Sequence, residues 1–226
     1  MHLERWLAAY AEAVENVFAD RIVLIGIQGS YARGEASPSS DRDVVMILDQ
    51  LNMDDLARYR DAISALPERE KICGFVSGLE ELKSWPPQEL FQFYHDTRAV
   101  RGSLDFLLPL IGDGDVEQAV LMGASNIYHM CVHNYVHERS GEILRGLLKA
   151  AVFVLQAKHF LKTHRYISKR AELLSELEGS DLRVLQAAAE VKARPADSEE
   201  RFEALSGLLF AWSSGLICKT DSEELL

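Results

Sequence analysis

Two apolar runs, Arg21 to Gln28 and Asp41 to Leu48, lie on either side of a loop that opens with Gly29-Ser30. Runs of this length, rich in Ile, Val and Leu, read as short buried strands. They commit the start of the chain to a sheet, and the two acids that lead the second run then need a reason, because acids are depleted inside strands. Side chains alternate along a strand, so Asp41 and Asp43 project to one side about 7 Å apart along the backbone, while Arg42 projects to the other. Carboxylates that converge on one place repel each other unless a cation stands between them. Mg2+ suits that place, since it takes one or two carboxylates and completes its shell with phosphate oxygens and water.

Gly29 offers the complementary half. Glycine permits close approach of the backbone to an anion, and the Ser30 hydroxyl and the amides of a helical turn over Tyr31 to Glu35 can bond phosphate oxygens. Phosphate and metal would then meet in one cleft. Arg33 is a further candidate for reaching phosphate; the competing reading is an exposed helical arginine in a surface ion pair.

The ordered set Gly29, Ser30, Asp41 and Asp43 resembles the signature of the DNA polymerase β-like nucleotidyltransferases: a Gly-Ser turn, a loop, then Asp-x-Asp on a strand. The fuller Gly-Ser-x-Ala-Arg-Gly-x-Ala pattern, Gly29 to Ala36, is similar to the minimal and kanamycin-type aminoglycoside branches. The resemblance implies transfer of a nucleoside monophosphate, AMP from ATP, to a hydroxyl of a small-molecule or protein acceptor, with release of pyrophosphate. Gly29 and Ser30 would hold the β/γ-phosphates, and Asp41 and Asp43 would bind two Mg2+ ions. The family also places a third acid on a later strand, where it ligates metal and draws the proton from the attacking hydroxyl. Asp105, among Leu104, Phe106 and Leu107 in what reads as a strand entered through Gly102-Ser103, fits that role better than Asp96, whose surroundings read as a loop or helix end. Arg42 departs from the family pattern, which has an apolar residue there, and suggests a less buried strand end. Two other readings stand beside this one: an aminoglycoside-modifying adenylyltransferase, and a catalytically inactive, nucleotide-binding module of the antitoxin kind.

Charge bears on the acceptor. With 24 basic against 35 acidic residues the chain carries a formal charge of -11, the opposite of the Lys/Arg footprint that long nucleic acids require. An acidic surface attracts cationic acceptors, which is compatible with an aminosugar. Cys73, Cys131 and Cys218 are scattered and odd in number, which argues for a reducing compartment and against a disulfide framework. No run of about 18 apolar residues marks a membrane span, and the first residues lack the apolar segment of a signal peptide. A cytoplasmic protein is expected, and a homodimer is compatible with that.

The remaining sequence predicts an α+β fold in which a mixed β-sheet domain, residues 1–113, precedes an all-α helical bundle, residues 114–226. His2 to Ala19 has apolar residues at helical spacing; Asp54 to Leu66 predicts a second helix and Lys71 to Val76 a third strand. Leu79 to Trp85 predicts a short helix, and Arg98 to Arg101 with Leu104 to Leu108 a terminal hairpin, so that helices cover one face of the sheet. Strand signals stop near Gly112 to Asp115. Helices are then predicted over Val116 to Glu138, Gly141 to Thr163, Lys169 to Leu177, Asp181 to Ala193 and Ser198 to Leu216. His129, His133 and His137 recur at i, i+4 and i+8 with Asn126 and Glu138 nearby, but no His-Glu-x-x-His arrangement or further ligand is present, so a polar interhelical face or the lining of a cleft between domains is the better reading. No Arg and His stand at the short spacing of HEPN ribonucleases, so the bundle is expected to close one side of an acceptor site, with Glu138, Arg139 and Lys149 as candidate contacts.

Overall fold

Trp6, Leu7, Tyr10, Val14 and Phe18 repeat at helical spacing, and all five are buried on one side of helix α1 (Leu3–Phe18). Large side chains buried in this way contribute about 1.5–3 kcal/mol each. Described in a computed structural model over residues 3–38 and 40–218, the chain divides into two units, Met1–Ile111 and Gly112–Leu226. His2, the first residue of the expected helix, lies outside the described residues.

The first unit is built on a four-stranded mixed sheet in the order β3-β2-β1-β4. Its strands are β1 (Ile22–Ile27), β2 (Arg42–Leu48), β3 (Ile72–Gly78) and β4 (Arg98–Arg101). The β1 strand pairs antiparallel with both β2 and β4, and β2 pairs parallel with β3. Short helices connect them: α2 (Gly29–Arg33), α3 (Met53–Ile63), α4 (Leu79–Lys83) and α5 (Pro87–Asp96). Asn52 caps α3, accepting from the Asp55 amide at 2.9 Å, and Pro87 opens α5, where its missing N–H costs nothing.

Three sequence expectations change here. Helices cover both faces of the sheet, not one: Ile25, Ile27, Val44, Met46 and Leu48 pack with α1, while Leu24, Val45 and Ile47 pack with Leu82 of α4 and Leu90 and Phe93 of α5. The physical reason lies in β1 and β2 themselves, whose near-continuous apolar runs give each face something to bury. Second, Leu104 to Leu108 is not a strand, and the expected hairpin does not form. Residues Asp105–Leu110 make a 3-10 helix containing Pro109, with Leu104 and Leu107 turned into the core three residues apart, the spacing at which 3-10 side chains line up. Third, α5 fills a stretch for which no element was expected.

The second unit is helical throughout its described residues. Its main helices are α6 (Asp113–His133), α7 (Gly141–Thr163), α9 (Gly179–Ala193) and α11 (Phe202–Cys218), with single-turn helices α8 (Arg170–Leu173) and α10 (Asp197–Glu200) between them. The α7 helix packs against α6 and α9, and α11 packs against α6. Asp181 of α9 ties three of these helices together, accepting from Lys158 Nζ and from Trp212 Nε1, both at 2.8 Å. The last predicted helix is broken into α10 and α11 at Arg201. At the end of α6 the chain passes into one π-helical turn, Asn134–Glu138. There the His133 and His137 rings lie 5.0 Å apart and His133 Nε2 is 3.5 Å from Glu138 Oε1. Arg139 is taken up by Glu203 and by the Tyr135 and Phe202 rings, while Glu138 and Lys149 are exposed. None of the described helices is long and apolar enough to cross a membrane.

Candidate active site

The antiparallel pairing of β1 with β2 brings the end of one to the start of the other. Ile27 lies opposite Val44, and the next residue, Gln28, donates its backbone N–H to the Asp43 carbonyl at 2.7 Å. Gly29 is therefore forced up against Asp43. It has a positive φ of 66°, and a Cβ built there would lie 2.0 Å from Asp43 Oδ2. Only glycine leaves room for the carboxylate beside this turn. From Gly29 the chain enters α2, which carries Ser30 in its first turn and ends at Gly34 in the left-handed conformation.

Alternation along β2 puts Asp43 on the same sheet face as Val45 and Ile47, the face covered by α4 and α5. Asp43 is half-buried, and Asp41, one residue before the strand, is exposed. Cys73 stands opposite Asp43 in the parallel register of β3 and is exposed on that face. No sequence signal marked it, because its place depends on a strand pairing. Among the described residues no three His, Cys, Asp or Glu side chains converge to hold an ion by themselves. The Asp43 carboxylate beside a glycine turn, with Asp41 two residues before it, fits a hard divalent cation that takes the rest of its shell from phosphate and water.

Asp105 does not join this pair. The β4 strand runs antiparallel to β1, with Arg98 beside Ile27 and Arg101 beside Ile25, so it leads away from Gly29. By Gly102 the chain has reached Val23, whose carbonyl would lie 2.1 Å from a Cβ at that glycine. Asp105 follows, exposed, with its amide bonded to Ser103 Oγ at 3.0 Å and its carboxylate accepting from Tyr94 OH at 3.1 Å. The part of β1 beside Gly102 lies five residue steps, roughly 17 Å, from Gln28. Together with Tyr94, His95, Thr97 and Ser103, Asp105 lines a cavity of about 260 Å3. Burial holds the His95 imidazole down at about 4.

Asp96, the competing acid, stands at the Gly29 end. It is buried at the end of α5, and the next residue, Thr97, accepts from Gln28 Nε2 at 2.7 Å. Its carboxylate lies 3.7 Å from Arg33 Nη1, and Glu35 lies 3.8 Å from Arg33 Nε. Arg33 is accordingly no surface arginine: it is buried between α2 and two acids, and its Nε and Nη1 make no hydrogen bond among the described residues. Neither β3 nor β4 carries an acid.

Arg42 also reverses its expectation. It is only 3% exposed, because its guanidinium lies over the Trp6 ring, 4.6 Å from the centroid, and pairs with Glu68. Aromatic stacking and a carboxylate make a buried place for a side chain that alternation sends to the α1 face.

Residues 10–91 match the family model of the nucleotidyltransferase domain. Among solved structures, spectinomycin adenyltransferase AAD(9) from Enterococcus faecialis, determined with ATP and spectinomycin, shares the fold: the TM-score is 0.52 at 12% identity, over 92% of this chain and 99% of that one. No curated protein matches the chain.

Proposed function

We propose that the chain, whose residues 10–91 match the family model of the nucleotidyltransferase domain, is a DNA polymerase β-like nucleotidyltransferase that transfers AMP from ATP to a hydroxyl of a small-molecule acceptor. One observation carries this reading: the Asp43 carboxylate occupies the space that a side chain on Gly29 would fill, so an acid and an open backbone turn stand side by side. The likeness in fold to an adenyltransferase solved with ATP and spectinomycin supports the choice of nucleotide and acceptor class.

In this proposal Gly29 and Ser30 receive the β- and γ-phosphates through backbone N–H groups and the serine hydroxyl. Asp41 and Asp43 hold Mg2+, which when bound neutralises charge on the triphosphate and on the departing pyrophosphate. The acceptor oxygen forms its bond to the α-phosphorus as the bond to the β-phosphate oxygen breaks, and the hydroxyl proton passes to a carboxylate at this end of the sheet or to water. Arg33, placed between Asp96 and Glu35, braces α2 behind the phosphates, its charge offset by those two acids. Asp105 takes no part.

The test is incubation of the full chain with Mg2+, each of the four nucleoside triphosphates and a panel of aminoglycosides and aminocyclitols, following pyrophosphate. ATP-dependent release that needs an acceptor and is lost in Asp43→Asn supports the proposal; no release with any pairing counts against it. A second reading, nucleotide binding without transfer, is favoured by the lack of an acid on β3 and β4. Tight binding of ATP with Mg2+ and no turnover would select it.

A further inference from the structure

The residue between the two acids is charged, buried and held from several sides. Arg42 points to the α1 face, where its guanidinium lies 4.6 Å from the centre of the Trp6 ring and 5.8 Å from that of Tyr31. It pairs with Glu68, whose other oxygen accepts from Lys71 Nζ at 2.7 Å. Lys71 Nζ also donates to the Pro38 carbonyl at 3.0 Å, and Trp6 Nε1 donates to the Pro67 carbonyl at 2.9 Å. Pro38 and Arg42 lie on either side of Asp41 in the chain, Arg42 tied to Glu68 directly and Pro38 through Lys71.

Pairing alone holds this part of β2 weakly. The ladder with β1 reaches only Val44, supplemented by the Gln28 to Asp43 bond, and the residues before it pair on the β3 side alone, Arg42 with Ile72 and Asp43 with Cys73. Side chains must therefore fix the end that carries the acids. From these contacts we infer that Arg42, latched by Glu68, Lys71 and Trp6, is a positioning residue that sets Asp41 and Asp43 for metal-nucleotide binding. The inference rests on the reading of those two acids given above.

Stability by itself does not account for a guanidinium here. Arg42 Nε and Nη1 are buried and make no hydrogen bond among the described residues, and an unmet buried donor weakens a fold where an apolar side chain of similar volume would not. Glu68 sits in the left-handed region, with φ of 54°, a strained place for a residue with a side chain. A methionine at position 42 would pack without the unmet donors.

The experiment compares the full-length wild type with Arg42→Met, Arg42→Lys, Glu68→Gln and Asp43→Asn. Mn2+ affinity is measured by titration in the presence of a non-hydrolysable ATP analogue, beside the melting temperature of each protein. Arg42→Met is expected to melt at or above the wild-type temperature while Mn2+ binding weakens about tenfold or more, the usual effect of losing an outer support of a metal ligand. Arg42→Lys, which keeps the charge but not the planar fork, should recover part of that loss. Should Arg42→Met fail to fold, Glu68→Gln carries the test: it leaves the buried Arg42 charge without its carboxylate, so its melting temperature falls, and weaker Mn2+ binding, titrated well below that temperature, is expected. Wild-type affinity in Arg42→Met, or in Glu68→Gln where that variant stands in, with Asp43→Asn impaired, overturns the latch alone. Wild-type affinity in Asp43→Asn overturns the reading of the acids and the latch with it.

Discussion

Replacing Gly29 by alanine puts the central contact of the site under direct test. The new Cβ would sit 2.0 Å from Asp43 Oδ2, whereas atoms in ordinary contact stand about 3.5 Å or more apart. Asp43 must therefore retreat by more than about 1 Å, and a displacement of that size at a reacting centre can cost about 100-fold in rate. Backbone strain adds a separate effect, because φ at this position is 66° and an L-residue there costs about 1–2 kcal/mol. Gly34 supplies the control: its φ is 72° and nothing lies within 4 Å of its missing Cβ, so Gly34→Ala carries similar strain without touching Asp43. Both variants should melt a few degrees lower, at about 2–4 °C per kcal/mol for a chain of this size. Pyrophosphate release and Mn2+ titration should then separate them, with Gly29→Ala down by about 100-fold and Gly34→Ala close to wild type. Equal activity in the two variants would refute the argument that Gly29 exists to make room for the carboxylate.

Asp105→Asn should leave transfer near the wild-type rate, while Asp41→Asn and Asp43→Asn lose most of it; an assay of pyrophosphate release in which Asp105→Asn is the most damaging would reinstate that residue. Maleimide should label Cys73 more slowly in the presence of ATP and Mg2+, since Cys73 stands opposite Asp43 in register and is exposed, whereas labelling of exposed Cys218 should not change; peptide mapping reads both rates, and unprotected Cys73 would place the nucleotide elsewhere. His95 should make the first unit acid-sensitive. Its folded value is about 4 against 6.5 unfolded, so the unfolded chain binds the proton first, and stability present above pH 6.5 falls as the pH drops from there through 4. Melting curves over that range should show a shallower slope for His95→Gln than for wild type, and identical slopes would mean that burial does not hold the imidazole neutral.

The shared side of Asp41 and Asp43 is legible in the sequence, because alternation along a strand is set by covalent geometry, whereas the contact of Asp43 with the Gly29 turn comes from the antiparallel pairing of β1 with β2. The unbroken apolar character of β1 and β2 likewise encodes burial on both faces, although the helix that covers much of the second face, α5, was not read from its residues. Its Pro86-Pro87 signals a stop as readily as a start, and what tells them apart is where Leu90 and Phe93 land. The fate of Arg42 depends on a carboxylate 26 residues away and on an indole from α1, neither of which local pattern can supply. Asp96 and Asp105 are nine residues apart: Asp96 stands beside Arg33 at the Gly29 end, whereas β4, paired antiparallel through Gly26 and Ala99, carries the chain away from that turn before Asp105. Periodicity along the chain gives each side chain a face, but only long-range pairing gives a strand its neighbour and direction, and the direction of β4 determined which acid lies near the Gly29 turn.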